Sequence, residues 1–209
     1  MSLELLDYRR KVYSNYQTVS RSKLEPFQTA ENFRENRDQL FEKHAQSALN
    51  EEQQKNFMGL NYFDYDPGWR KLASLDFNVS STDIKIPLKE DGLMRMRAYA
   101  IARWRHRDAA FQLMIYEIKG YGGGLFLPFR DQSYKQADVY AGTRYLLDTI
   151  KGADLGTEAG KLVLDFNYAY NPSCAYNPAW DCPLAPEENW LDLAVLAGEK
   201  EFIPQSDAE

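Results

Sequence analysis

A chain of 209 residues, 44% of them hydrophobic, is long enough to enclose one sizeable core. Its formal charge of −6 and pI near 5.1 exclude a generally basic surface for nucleic acid, so any such contact is confined to a local patch. No run approaches the roughly 18 apolar residues that span a bilayer, and the opening MSLELLDYRRKVYSNYQ holds no continuous apolar h-region.

Residues 1–24 are polar and read as a peripheral arm, irregular except for a short helix carrying Leu5, Leu6, Tyr8 and Val12. In TAENFRENRDQLFEKHA, residues 29–45, Phe33, Arg37, Leu40, Phe41 and His44 recur at three- and four-residue intervals among charges, which predicts an amphipathic helix. A second short helix follows in NEEQQKNFMGL, where Asn50 can cap and Gly59 can terminate. After DYDPGW the period falls to two. RKLASLDFNV alternates Leu72, Ser74 and Asp76 with Ala73, Leu75 and Phe77, and TDIKIPL sets Ile84, Ile86 and Leu88 against Asp83, Lys85 and Pro87, predicting two short strands. Residues 94–104 and 110–118 form a longer antiparallel hairpin turning near RHRDA, with Phe111, Leu113 and Ile115 on one face. GLFLPFRD, DVYAGTRYLL and KLVLDFN add three strands separated by polar loops. Short strands at this spacing predict a mainly β, α+β fold: a compact antiparallel β-barrel or sandwich with two N-terminal helices and a long ordered C-terminal loop. Residues 25–200 are then a single globular domain, and 201–209 a polar tail expected to fray.

In MRMRAYAIARWRHR, Arg95, Arg97, Arg103, Arg105 and Arg107 share one parity and Met94, Met96, Ala98, Ala100, Ala102 and Trp104 the other. A straight strand would line one face with guanidinium groups. Such a face either pairs with some of the 31 acidic residues, the commoner arrangement, or binds an anion or a strip of nucleic acid beside Trp104. KGYGGGLF lacks the Lys-Ser/Thr end of a phosphate loop and precedes a strand rather than a helix, which makes it a hairpin connection. The chain has two histidines and two cysteines, and His44, His106, Cys174 and Cys182 form a zinc tetrahedron only if helix, hairpin turn and loop all converge. The short spacings of zinc sites are absent, and no metal is assigned.

The segment DFNYAYNPSCAYNPAWDCPLAPEENW, residues 165–190, has neither helical nor strand period, yet it holds both cysteines and two of the four tryptophans. Asn167, Asn171, Asn177 and Asn189 can satisfy the loose peptide groups of an irregular chain, and the X-Pro pairs keep it extended. Tyr168, Tyr170, Tyr176 and Trp180 must pack against other parts of the molecule. An ordered loop of this length is either a pocket wall or lid, or a cover over a sheet edge. Cys174 and Cys182 can be a disulfide, a buried thiol pair that pins the loop, or a redox pair; as a nucleophile Cys174 needs a base, and no histidine is near it in sequence.

LFLPFRD, then VYAGTRYL, then LDFNYAYNPSCAYNPAWDCPLAPEENWLDLAVLAGEK resemble, in that order, the bacterial and archaeal family catalogued as domain of unknown function 1684. FEKHAQSALNEEQQKNFMGLNYFDYDPGWR resembles its leading segment, so the resemblance runs over roughly residues 31–200. It implies emphasis on Phe129, Arg130 and Asp131, on Tyr140, Gly142, Arg144 and Tyr145, and on Asp165, Asn167, Asn171, Cys174, Tyr176, Cys182, Glu188 and Asn189, without an activity. Ala141 and Thr143 stand where consecutive glycines are usual in the family, and QSYKQAD where a threonine-glycine connection is usual, which bears on any function needing backbone access there.

Arg130, Asp131, Tyr140, Arg144, Asn167, Asn171 and Tyr176, arriving from adjacent strands, can converge at one end of a barrel as a ligand site, or as a buried network that fixes the loop. The leading expectation is a protein that binds a small polar or anionic molecule in a pocket walled by residues 165–190, with Arg130 or Arg144 meeting the anion. One alternative is an enzyme of unassigned reaction class using Asp131, Tyr140 or Glu188 in proton transfer, or Cys174 as nucleophile. The other is a structural or protein-interaction module docking through the loop. The residues name no cofactor and leave the ligand and the oligomeric state open. With no signal peptide in the chain as it stands, a cytoplasmic location is expected, export being left open should a signal precede residue 1.

Overall fold

The computed structural model describes residues 2–80, 83–88, 92–120, 122–135 and 139–204. Thr82 and Asp138, expected to begin strands, Tyr121, Gln136 and Ala137 of the motifs above, and residues 205–209 of the tail lie outside them.

The chain opens with α1 (Leu3–Arg21) and α2 (Pro26–Lys43), followed by the single turn of α3 (Glu51–Lys55). Residues 3–21 are thus a 19-residue helix instead of an irregular arm. Ser2 starts it by accepting the Leu5 N–H at 3.1 Å. Its apolar stripe is narrow, since only Val12, Asn15 and Tyr16 are buried, and the polar remainder of the surface hides the helix in the composition. Tyr16 packs edge-on to Phe33 of α2 at 5.1 Å and donates to the Tyr168 carbonyl at 3.3 Å, which ties α1 to the domain. α2 buries the stripe read from the sequence, Phe33, Arg37, Leu40 and Phe41, and Pro26 occupies its first turn, where no N–H is needed. In α3, Asn50 and Gln53 form a reciprocal capping box.

The described residues form one antiparallel sheet of β1 (Arg70–Asp76), β2 (Asp83–Leu88), β3 (Gly92–His106), β4 (Ala109–Ile118), β5 (Gly124–Phe129), β6 (Arg144–Asp148), β7 (Thr157–Glu158) and β8 (Lys161–Asp165). The order is β6-β5-β4-β3-β1-β8-β7, with β2 also on β3. β3 is the spine. β4 pairs with it from Met96↔Ile118 to His106↔Ala109, while β2 and β1 share its other edge. The sheet curls into a half-barrel, and the edge of β6 is met by Tyr170, beyond β8, through Tyr145–Tyr170 hydrogen bonds of 2.8 and 3.1 Å.

A bulge in the β3–β4 pairing between Ala98 and Ala100 leaves Tyr99 outside and reverses the parity of β3, so that Met96 and Ala98 lie with Tyr116 on one face and Ala100 and Ala102 with Ile115 on the other; Ile115 and Tyr116 are both buried because both faces are covered there. Of DVYAGTRYLL, the strand begins only at Arg144. Residues 139–143 are loop, because the Tyr140 ring folds onto Gly142 so closely that a Cβ there would lie 2.5 Å from it. KGYGGGLF connects β4 to β5, with Gly120, Gly122 and Gly123 all at positive φ.

Two sets of partners cover the sheet, one on each face. Ala102, Trp104, Leu113, Leu127, Phe129 and Leu164 meet Leu191, Val195 and Ala197 of the C-terminal chain. Met96, Tyr116, Phe126 and Tyr145 meet Val12, Tyr16, Phe33 and Leu40 of the helices. Phe202, in the stretch expected to fray, packs against Phe57 and Tyr176.

Candidate functional site

The residues that the sequence singles out fall into several distinct places. Asp131, just past β5, and Arg144, the first residue of β6, form an ion pair of 2.7 Å whose side chains are 3% and 1% exposed. Arg144 also donates to the carbonyls of Ala197 at 2.6 Å and Val195 at 2.9 Å, and Asp131 accepts the N–H groups of Ser133 at 2.8 Å and Val195 at 3.0 Å. The pair fastens the C-terminal chain, and stranding either charge inside would cost roughly 3–5 kcal/mol. Arg130 stands apart from it, half-buried, with its guanidinium over the rings of Tyr134 at 4.7 Å and Trp190 at 4.9 Å.

Asn167 and Asn189 use their side chains as stand-ins for a neighbouring strand, since a primary amide presents donor and acceptor as a peptide does. Asn167 accepts the Asp66 N–H at 3.0 Å and donates to the Asp66 carbonyl at 2.8 Å. Asn189 does the same for Met114 at 2.7 and 2.8 Å, and gives a further bond to the Pro128 carbonyl at 2.7 Å. Met114 lies on β4 beyond the stretch that β5 pairs, so here the loop covers a sheet edge. Glu188, exposed, accepts the Tyr116 hydroxyl at 2.8 Å.

Asn171 and Tyr176 line a cleft of about 130 Å³ between the helices and the loop. Tyr8, Phe41, Tyr170, Tyr176 and Trp180 make its walls aromatic; Arg37, Lys151 and Asn171 supply its polar groups. Arg37 Nη2 lies 3.3 Å from Glu199 Oε2 and donates to the Tyr176 hydroxyl at 3.2 Å, and the guanidinium sits 4.9 Å from the ring centres of both Phe41 and Tyr170. Glu199 is only 1% exposed and also accepts the Asn171 N–H at 2.7 Å. Gly198 makes its approach feasible: φ is +79°, and a Cβ would lie 2.6 Å from the carbonyl oxygens of Phe166 and Ala169. Burial is the largest single effect and opposes the Arg37 charge, but Glu199 together with Tyr176, Tyr62 and Tyr8 outweighs it and holds the pKa well above the ordinary arginine value. Burial keeps Tyr170 and Tyr176 neutral, with pKa values well above the usual 10. Three buried atoms of lining residues, Arg37 Nε, Tyr170 Oη and Asn171 Oδ1, have no hydrogen-bond partner among the described residues. Lys151, partly exposed, stands 3.6 Å from Asp148. A wider groove of about 550 Å³ between α1 and α2 is lined by exposed side chains such as Lys11, Ser14, Gln39 and Lys43, and holds none of the predicted site residues.

Cys174 and Cys182 are free thiols, partly buried. The Cys174 N–H donates to Cys182 Sγ at 3.2 Å, and the Tyr140 hydroxyl is 3.7 Å from Cys174 Sγ. A hydrogen bond from the Cys182 thiol, helped by Tyr140, pulls Cys174 down to about 6; the same bond and burial push Cys182 up, and burial with the Cys174 contact pushes Tyr140 up to about 12. The histidines are engaged elsewhere: His44 is 3.1 Å from Asp7, and His106 stacks on Trp69 at 4.3 Å. Among the described residues no three His, Cys, Asp or Glu side chains gather in a way that could hold a metal ion, and no helix is long and apolar enough to cross a membrane. The arginines of β3 do not share one face: the bulge puts Arg97, which pairs with Glu117 at 2.8 Å, on the opposite face from Arg103, which pairs with Asp76 at 3.2 Å, so the row of guanidinium groups expected of a straight strand is not formed.

Arg37 and Lys151 line the cleft, and Glu199 backs it by pairing with Arg37, without any of the three having been predicted there. Arg37 left a signal, a charge on the apolar stripe of α2; Glu199 and Lys151 left none.

The solution NMR structure of the uncharacterized protein from gene locus rrnAC0354 of Haloarcula marismortui is similar to this chain, with a TM-score of 0.58 and 31% identity over 83% of this chain and 92% of that one. None of the curated proteins compared with the chain matches it. The family model that matches covers residues 55–200, from the end of α3 through the loop to the residue after Glu199, and the chain belongs to that family, described as Protein of unknown function (DUF1684).

Proposed function

We propose that the protein binds a small polar or anionic molecule in the cleft between α2 and residues 170–180, with Lys151 and Arg37 as its cationic side. The observation that supports this is the group of unpartnered buried atoms on lining residues, Arg37 Nε, Tyr170 Oη and Asn171 Oδ1. Each costs roughly 1–3 kcal/mol while it lacks a hydrogen bond. A ligand carrying both an acceptor and a donor would satisfy them, and the surrounding rings would hold its apolar part. Arg144, whose donors are spent on the C-terminal chain, and Arg130, stacked between rings, are less suited to meet the anion.

The test is the mass of gently purified protein under native and then denaturing conditions, followed by melting and tryptophan emission in inorganic phosphate, acetate and glycine. A released mass, or a response that Lys151→Met abolishes without loss of fold, is expected; Arg144→Ala should instead lower stability. No excess mass and no response to any probe would remove the proposal. A second reading, a protein-interaction module, is supported by Trp180, Leu184 and Trp190, which the loop leaves 42%, 52% and 50% exposed. Concentration-dependent self-association without any probe response would favour it.

A further inference from the structure

The two thiols beside the cleft play no part in that reading. Each is placed by the fold rather than by sequence proximity alone. Cys174 follows Ser173 of the cleft wall on a 3-10 turn, and its own N–H holds the Cys182 sulfur at 3.2 Å. Tyr140 reaches the Cys174 sulfur from the loop before β6, at 3.7 Å. Cys174 therefore has the Tyr140 hydroxyl at its sulfur and the Cys182 sulfur on its own N–H, and hydrogen bonding from both groups favours the Cys174 thiolate. Asp181 opposes negative charge on Cys174, Lys151 favours it on Cys182, and Glu201 acts on Tyr140.

We propose that Cys174 and Cys182 are a reversible redox pair oxidised by small hydroperoxides, Cys174 being the attacking sulfur and Cys182 the resolving thiol. Partial burial favours a small oxidant over a protein disulfide. The Cys174 thiolate attacks the outer oxygen of the hydroperoxide, the O–O bond breaks, and the alkoxide or hydroxide leaves with a proton drawn from Tyr140 or solvent. Two electrons have passed from sulfur to oxygen, leaving a sulfenic acid on Cys174. The Cys182 sulfur then attacks that sulfur; the S–O bond breaks, the oxygen departs as water with the Cys182 proton, and a disulfide forms. Two equivalents of a small thiol reverse this by exchange, becoming a disulfide themselves. The disulfide would close a loop that contains Tyr176 and Trp180, so oxidation would also brace one wall of the cleft.

The experiment uses the full chain, first reduced, then treated with hydrogen peroxide and mapped by peptide mass. The wild type should become two hydrogens lighter through a Cys174–Cys182 bond, and dithiothreitol should restore it. Iodoacetamide should label Cys174 first, with a rate that rises through a pH of about 6. Cys182→Ser should trap a dimedone-reactive sulfenic acid on Cys174, and Cys182→Ala should move the labelling inflection up toward an ordinary thiol value of about 8.5. Because the wild-type measurements need no variant, a misfolded substitution leaves the test intact. Equal labelling of both cysteines with an ordinary pH profile, or a peroxide-treated wild type whose two thiols stay reduced, would overturn the proposal.

Discussion

Asp38 sits beside Arg37 on α2 and accepts the Leu60 N–H at 3.0 Å. Burial lifts its carboxyl from 3.8 to about 6, against the lowering effects of the Leu60 N–H and Arg37. The folded chain thus holds the Asp38 proton more tightly than the unfolded chain does. Its contribution to stability is full below the unfolded value and is lost as pH rises through about 6. Asp38→Asn keeps an oxygen for Leu60 and removes the titration. Urea midpoints measured across this window should fall with pH in the wild type more steeply than in the variant; parallel curves would contradict the assignment. At this scale charge is concentrated in a few buried carboxylates and arginines, and these, more than the exposed ion pairs of β3, should set the pH response.

Among the elements, the loop after β8 completes the sheet with side chains. Replacing Asn189 by Ala strands the Met114 N–H and two carbonyls at once, so a loss of about 3 kcal/mol or more in a denaturant titration is expected, at roughly 1–3 kcal/mol for each buried group left bare. A change under 1 kcal/mol would mean that water replaces the amide readily. The strands around that loop were legible, because Ala73, Leu113 and Ile84 alternate with polar neighbours. α1 was not, since a stripe of Val12, Asn15 and Tyr16 is too narrow to stand out from nineteen mostly polar residues. The bulge at Tyr99 was also hidden, as it depends on which residue of β4 lies opposite. The asparagines of residues 165–190 announced that they serve backbone groups; which groups could not be read, because Met114 is 75 residues away from Asn189.

For the whole molecule, α1 is a test of where the core ends. Tyr16 is 2% exposed and packs with Phe33 under the sheet, so Tyr16→Ala should cost roughly 3–5 kcal/mol, as aromatic truncations in cores do. A peripheral arm would lose under about 0.5 kcal/mol, and thermal melting distinguishes the two. The cleft was only half visible in the sequence, because Asn171 and Tyr176 lie in a segment of unusual composition while their charged neighbours come from ordinary stretches far off. Arg37 and Glu199 are 162 residues apart. That separation orders the folding reaction. The hairpins of β3, β4 and β5 close over short distances and can assemble early, whereas Arg37 remains an uncompensated cation on the inner face of α2 until residue 199 has arrived. Docking of the two long helices should therefore be the slow, late step of refolding, and the cleft the last part of the molecule to come into being.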